Sequence, residues 1–298
     1  MKKFAVGLTL LTALLASCGN QTPAPAGVAK TQAVRVGNHQ IAAHAGDREG
    51  MPNGWLESEW ENSIQAINSA LGKAARYVEL DLQLNRNPAA ITDATPYGIL
   101  YLHHNRTCEV INASGQGTGT KFDIASAAPS SVDRCAERLE NVINASTNAF
   151  PYQMMLEMKA DTGYTEWIPY AVYHLLKKKG IRTTGIITSL NEGMLVGLRN
   201  LAAADGVTLN LTRVYGATTK PTRSDLDRAK SLGFKYVNAN VNDWFQSDVD
   251  YAKSIGLYVL GWHWSLTTPA AANATAVNLD LDIMVTDAIT DLQAYGWR

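Results

Sequence analysis

The chain has 298 residues, 46% of them hydrophobic, which is too apolar for a disordered protein and enough for one large core or two small ones. Its 26 Lys plus Arg nearly balance 27 Asp plus Glu, so no overall field draws it onto nucleic acid or an acidic membrane face. An enzyme-sized globular domain is expected, with no nucleic-acid partner.

Lys2 and Lys3 precede an apolar run over residues 4–15, the length of a signal-peptide core and short of a bilayer span. The run ends in Leu15-Ala16-Ser17-Cys18-Gly19, which resembles the lipobox of bacterial lipoproteins. That resemblance implies a signal peptide over residues 1–17 and lipidation of Cys18; an ordinary secretory signal is the alternative. Residues 18–36 include Thr22-Pro23-Ala24-Pro25-Ala26-Gly27 and carry no apolar period, as in a flexible tether. The expected location is the bacterial cell envelope, with a domain over residues 37–298 held to a membrane through the lipid. Cys108 and Cys135 then remain, and an even pair in an exported protein suggests a disulfide, two separate thiols being the alternative.

From His39 onward, short β-branched and apolar runs alternate with helical stretches, the pattern of repeated βα units around a parallel sheet. Strands are predicted at 40–44, 77–84, 99–104, 152–158, 185–189, 208–213, 235–240, 257–262 and 282–286. These nine segments compete for the eight places of a TIM-like (β/α)₈ barrel, so one is an extension, a hairpin partner or a misreading. Helices are predicted at 59–71, 166–178, 192–203, 223–231 and 248–255, where apolar residues recur every three or four positions. Gly180, Gly206, Gly233 and Gly256 follow four of them, as C-terminal glycines do. Residues 105–130 are rich in Gly, Ser and Thr and read as a loop or small excursion beside the barrel mouth. The whole reads as a single α/β domain.

Polar residues collect toward the ends of the predicted strands. The first ends in His44-Ala45-Gly46, the second contains Glu79-Leu80-Asp81, the third ends in His103-His104-Asn105, and the fourth carries Glu157-Met158-Lys159. In a (β/α)₈ barrel, side chains from strand C-termini converge on the catalytic face. Glu79 and Asp81 are two apart and project from one side of an extended strand, where like charges call for a cation or a proton. With Glu157 they form an oxygen-donor set suited to Mg²⁺ or Ca²⁺. His44 and His104 are the candidate acid and base, because imidazole titrates near neutrality. His103 should face away from His104, and it is assigned to packing together with His39, His174 and His263.

In order and spacing the set resembles the glycerophosphodiester phosphodiesterase family, whose pattern is matched by His44-Ala45-Gly46, Glu61-Asn62-Ser63, Glu79-Leu80-Asp81, His104-Asn105, Glu157-Met158-Lys159, Ser189-Leu190, Trp262 or Trp264, and Thr286-Asp287. The resemblance spans almost the whole mature domain. It implies that Glu79, Asp81 and Glu157 hold a divalent metal while His44 and His104 exchange protons in phosphodiester hydrolysis. It also implies that Lys159 binds the phosphate, that Glu61 orients neighbouring groups, and that Trp262 or Trp264 walls the substrate's alcohol. The substrate is then a small phosphodiester or a lipid-derived one, most simply a glycerophosphodiester cleaved to an alcohol and glycerol phosphate. No protein partner is predicted.

Two positions depart from the family pattern: Ala45 stands where an Arg follows the first His, and Asn105 stands where an Asp follows the second. Losing that Arg removes a bidentate phosphate donor, and Arg48, Arg76 or Arg106 could compensate. Alternative readings are a sphingomyelinase D-like phospholipase of the same superfamily and a non-catalytic surface lipoprotein that keeps the barrel as a binding module. A glycoside hydrolase barrel ranks last, because it leaves the histidines and Lys159 without a role.

Overall fold

The computed structural model describes residues 39–55, 57–146, 150–181, 185–216, 219–263 and 269–298. The signal-like run, Cys18, the tether and Trp264 lie outside the described residues.

Eight parallel strands form the barrel: β1 (Gln40–Ala43), β2 (Tyr77–Asn85), β7 (Met154–Met158), β8 (Ile186–Ser189), β9 (Leu211–Val214), β10 (Tyr236–Asn240), β11 (Tyr258–Trp262) and β12 (Ile283–Thr286). It closes where β1 pairs on one side with β12, Ala42 opposite Val285, and on the other with β2, Ala42 opposite Tyr77. The remaining strands lie outside the ring: β3 (Ile99–Leu102), β4 (Thr107–Ile111), β5 (Gly117–Asp123) and β6 (Glu137–Arg138).

Strand periodicity separates two cores. In β2, Val78, Leu80, Leu82 and Leu84 face the surrounding helices, whereas Tyr77 belongs to a cluster inside the barrel with Ala42, Met155, Ile186, Tyr236, Leu260 and Ile283. Glu79 and Asp81 share the parity of Tyr77, so the alternation that buries leucines outside delivers both carboxylates to the interior. In β7 the same rule sends Met154, Leu156 and Met158 outward, with Met155 inward. Glu157 and Lys159 continue the inward parity up to the barrel mouth.

The helices are α1 (Glu57–Trp60), α2 (Ile64–Gly72), α3 (Pro129–Val132), α4 (Leu139–Ala145), α5 (Ile168–Lys178), α6 (Glu192–Ala204), α7 (Arg223–Ser231), α8 (Gln246–Ser254), α9 (Pro269–Asn278) and α10 (Ile289–Ala294). The glycines after α5, α6, α7 and α8 do take positive φ. The helix expected over 59–71 is instead two. Asn62 sits at φ 61 and breaks it, and Ser63 caps α2 by accepting from the Ala66 N–H.

Two open readings are resolved. The run 99–104 is not a barrel strand: β3 pairs antiparallel with the part of β2 that rises above the ring, Leu102 opposite Leu82 and Ile99 opposite Asn85. The stretch 105–130 is the small excursion rather than a plain loop. It holds the β4–β5 hairpin, Cys108 opposite Phe122, and a small core of Tyr101, Cys108, Ile124 and Val132. Cys108 is disulfide-bonded to Cys135, with Cα atoms 5.6 Å apart, which ties the hairpin to the segment entering β6.

Candidate active site

The loop after β1 is shaped by its backbone. Ala45 is buried at φ 47; its N–H donates to Glu79 Oε2 at 3.0 Å and its carbonyl accepts from Asn62 N at 2.7 Å. Gly46 follows at φ 96, where a Cβ would lie 2.7 Å from the Ala66 side chain, so the turn can press against α2 only with glycine there. This fold-back sets His44 at the mouth and brings the Glu61-Asn62-Ser63 bend against β2. Asn62 then grips Asp81 at both ends: its Nδ2 donates to Asp81 Oδ2 and its Oδ1 accepts from the Asp81 N–H, each at 2.8 Å.

Glu79, Asp81 and Glu157 each offer an oxygen within 4.8 Å of the others. Lys159 Nζ lies 2.8 Å from Asp81 Oδ1 and 3.2 Å from Glu157 Oε2. Burial works against the charge on Lys159, but the Asp81, Glu157 and Glu79 carboxylates outweigh it and hold the ammonium well above its usual pKa. Asp81 moves the opposite way. Burial alone would raise it, yet Lys159, with His104 and His44, keeps its carboxyl below the usual range. Glu79 carries the strain of the cluster: burial and then the neighbouring Asp81 push its carboxyl well above the ordinary value.

Glu79 Oε1 is buried with no hydrogen-bond partner among the described residues. Three hard oxygen donors, one of them an orphaned buried carboxylate oxygen, fit a divalent cation of the Mg²⁺ or Ca²⁺ kind.

His44 Nδ1 lies 2.7 Å from Asp287 Oδ1, which leaves Nε2 for the mouth. Burial lowers the His44 pKa, but the Asp287 hydrogen bond and the Glu79, Asp287 and Asp81 charges outweigh it, raising the imidazole to about 9. Asp287 is itself held by Arg48, Nη1 to Oδ2 at 3.0 Å, and Arg48 also pairs with Glu57 and lies 3.4 Å from Glu61. Of the three arginines considered for the role left by Ala45, Arg48 is thus bound to carboxylates behind His44. Arg76 lies over the Tyr77 ring, and Arg106 pairs with Asp123.

His104 reaches the mouth by a different route from the one expected. Because β2 overshoots the ring and β3 returns antiparallel, the chain descends until His103 N donates to Asp81 O at 3.0 Å, and His104 follows beside the carboxylates. Asn105 Oδ1 lies 3.3 Å from His104 Nδ1. His103 lines a separate cavity of about 180 Å³ with Glu61, Asn62 and Ser63, so the two histidines face different spaces.

The cleft that holds these groups, about 150 Å³, has a polar side of His44, Glu79, His104, Glu157 and Lys159 and an apolar side of Met155, Leu190, Val214, Trp262 and Val285. The structure therefore brings together His44, His104, Lys159, Trp262 and the carboxylate cluster. Glu61 does not line this cleft and stands behind it against Arg48.

Sequence reasoning missed three contributors. Asp287 was visible in the closing Thr286-Asp287 pair but received no role. Asn62 stands within the Glu61-Asn62-Ser63 motif and likewise has no role evident from sequence. His263, assigned to packing, lines the cleft, and burial lowers its pKa.

No family model matches the sequence, and no curated protein matches it either. Solved structures do. A protein provisionally assigned as a glycerophosphodiester phosphodiesterase from Galdieria sulphuraria superposes with TM-score 0.66 at 15% identity, covering 88% of this chain and 98% of that one. A glycerophosphodiester phosphodiesterase from Parabacteroides distasonis gives TM-score 0.62 at 17% identity, covering 87% and 96%. An Oleispira antarctica phosphodiesterase, solved with the product sn-glycerol-3-phosphate, gives 0.62 at 16%, covering 86% and 96%. The barrel is the fold of the glycerophosphodiester phosphodiesterases. At these identities the likeness concerns the fold, and the chemistry rests on this chain's own residues.

Proposed function

We propose that this chain is a metal-dependent phosphodiester hydrolase of the glycerophosphodiester phosphodiesterase kind, cleaving a glycerophosphodiester to an alcohol and glycerol phosphate. The observation that carries the reading is the convergence of His44, His104, Glu79 and Glu157 on one cleft at the C-terminal end of the barrel, with an Asp81 oxygen within 4.8 Å of those of Glu79 and Glu157. The family fold supports it, as does the glycerol phosphate bound by the Oleispira relative.

Glu79, Asp81 and Glu157 would hold the divalent ion. When bound, such an ion offsets negative charge on the phosphoryl oxygens. Lys159 lines the cleft beside that cluster and would turn its ammonium to a non-bridging oxygen, replacing some of its pairing to Asp81 and Glu157. His44, with Nδ1 fixed by Asp287, presents Nε2 to the substrate, and His104 faces the same space. One imidazole takes a proton from the attacking water and the other delivers a proton to the departing alcohol oxygen, so that water adds across the P–O bond.

Export and lipid anchoring through Cys18 belong to the same proposal; their support is the sequence of residues 1–18. The barrel's strands and its hydrophobic cores fall within residues 40–297, so the chain from Val34 onward contains the complete closed unit. Assay of that protein on glycerophosphocholine, with and without chelator, tests the activity. Intact-mass analysis of the full chain from an exporting host tests the modification of Cys18.

A further inference from the structure

Among the described residues, the exposed large hydrophobic side chains are Ile91, Trp167, Tyr170, Leu190, Phe245 and Tyr295. Their placement is uneven. Ile91 follows β2, Trp167 and Tyr170 open α5 after β7, Leu190 follows β8, and Phe245 follows β10, so these five stand on segments leaving strand C-termini. Tyr295 ends α10 at the opposite end of the barrel. Trp167 and Tyr170 also touch, with ring centroids 5.9 Å apart, and exposed apolar groups gathered on the catalytic end of the barrel mark an interaction surface.

Two features select the partner. Cations lie on the rim aromatics: the Arg86 guanidinium is 3.9 Å from the Trp167 ring centre, and Lys220 Nζ is 3.3 Å from that of Phe245, while also pairing with Asp248. Aromatic rings beside Lys and Arg suit the boundary between anionic head groups and acyl chains. The rim is also continuous with the cleft, because Leu190 is 42% exposed and at the same time belongs to the apolar wall with Val214 and Trp262. An apolar path therefore runs from the outer edge to the catalytic groups.

We infer that the catalytic rim is a docking face for an anionic lipid surface, from which the cleft takes a phosphodiester bearing an apolar chain. The substrate half of this inference rests on the phosphodiesterase reading; the docking half does not. Polar catalytic groups on β1, β2 and β7 would meet the phosphate while the Leu190 side receives the chain.

The test is sedimentation of the chain from Val34 with vesicles of phosphatidylcholine containing phosphatidylglycerol, and with phosphatidylcholine alone, beside hydrolysis of soluble glycerophosphocholine. Binding to the mixed vesicles is expected, weaker on phosphatidylcholine alone. Phe245→Asp and Trp167→Asp should each weaken it about tenfold, the factor for withholding one aromatic side chain from apolar surroundings, while leaving soluble hydrolysis unchanged. Phe245 stands at the N-cap of α8, where Asp is well accepted, so that variant keeps its fold. Tyr295→Asp should bind as the parent does. No sedimentation with mixed vesicles, or an equal loss in Tyr295→Asp, overturns docking. Soluble hydrolysis without vesicle binding refutes this inference alone, whereas vesicle binding with no diester cleaved refutes the enzymatic reading and leaves the docking face.

Discussion

Asp287 Oδ1 stands 2.7 Å from His44 Nδ1 across 243 positions of sequence, and its other oxygen meets Arg48 at 3.0 Å. The strand that closes the barrel thus supplies the group that orients the histidine of the first strand. Asp287→Asn keeps the size but removes the charge and the tautomer preference. We expect kcat to fall about 10²-fold with little change in KM, within the range of a general acid or base. A pH–rate profile should show the His44-dependent limb displaced to lower pH. An unchanged profile would mean that Asp287 serves packing only.

The carboxylate cluster makes metal-free stability depend on pH. His44 is raised from 6.5 to about 9, so its contribution is full below 6.5 and is lost as pH rises through 9. Glu79 is also raised, so its burial becomes more costly as pH climbs above its ordinary value. Both act in one direction. Urea unfolding of the chelated chain should show lower stability at pH 9 than at pH 6.5, by roughly 3 kcal/mol from His44 alone, and Glu79→Gln should flatten the difference. Added Mg²⁺ or Ca²⁺ should stabilise more at high pH, because binding must displace the Glu79 proton.

Asn62 does two separable things: it occupies φ 61, and it makes two hydrogen bonds to Asp81. Asn62→Gly keeps the backbone conformation and should cost roughly 2–3 kcal/mol through a buried carboxylate left short of donors. Asn62→Ala should cost about 1 kcal/mol more, the strain of a left-handed alanine. Equal unfolding midpoints for the two would contradict this division.

The Cys108–Cys135 bridge spans a sequence separation of 27 beside β3, which delivers His104. Replacing both cysteines by serine should lower stability by roughly 3 kcal/mol on loop-entropy grounds. Because β6 begins two residues after Cys135 and pairs with β3, we also expect kcat to fall with His104 less firmly placed. Hydrogen exchange should rise in the segment 99–138 and not in the barrel.

Much of this site is readable from local chemistry. The period-two spacing of Glu79 and Asp81 delivers both inward, and the parity of Glu157 and Lys159 follows the same rule. What escapes is set by contacts distant in sequence. Residues 99–104 look like a barrel strand because strand composition does not encode pairing direction, yet antiparallel return is what lowers His104 into place. The β5 strand is exposed over most of its length and so lacks the apolar alternation that reveals a strand. Arg48 looks free to bind phosphate until Asp287, 239 positions away, is seen to hold it. His263 sits in a Trp262-His263-Trp264 run whose uniform aromaticity conceals which side chains face the cleft.

Two histidines and a carboxylate cluster that would hold a metal meet in one cleft, the arrangement proposed for phosphodiester hydrolysis. Its most direct test is turnover of glycerophosphocholine by the chain from Val34, with Mg²⁺ or Ca²⁺ and with chelator, beside His44→Ala and Glu79→Gln. Cleavage is expected that chelator abolishes and that falls at least about 10²-fold in each variant. A folded parent that cleaves no diester with any divalent metal, or variants as active as the parent, would contradict it.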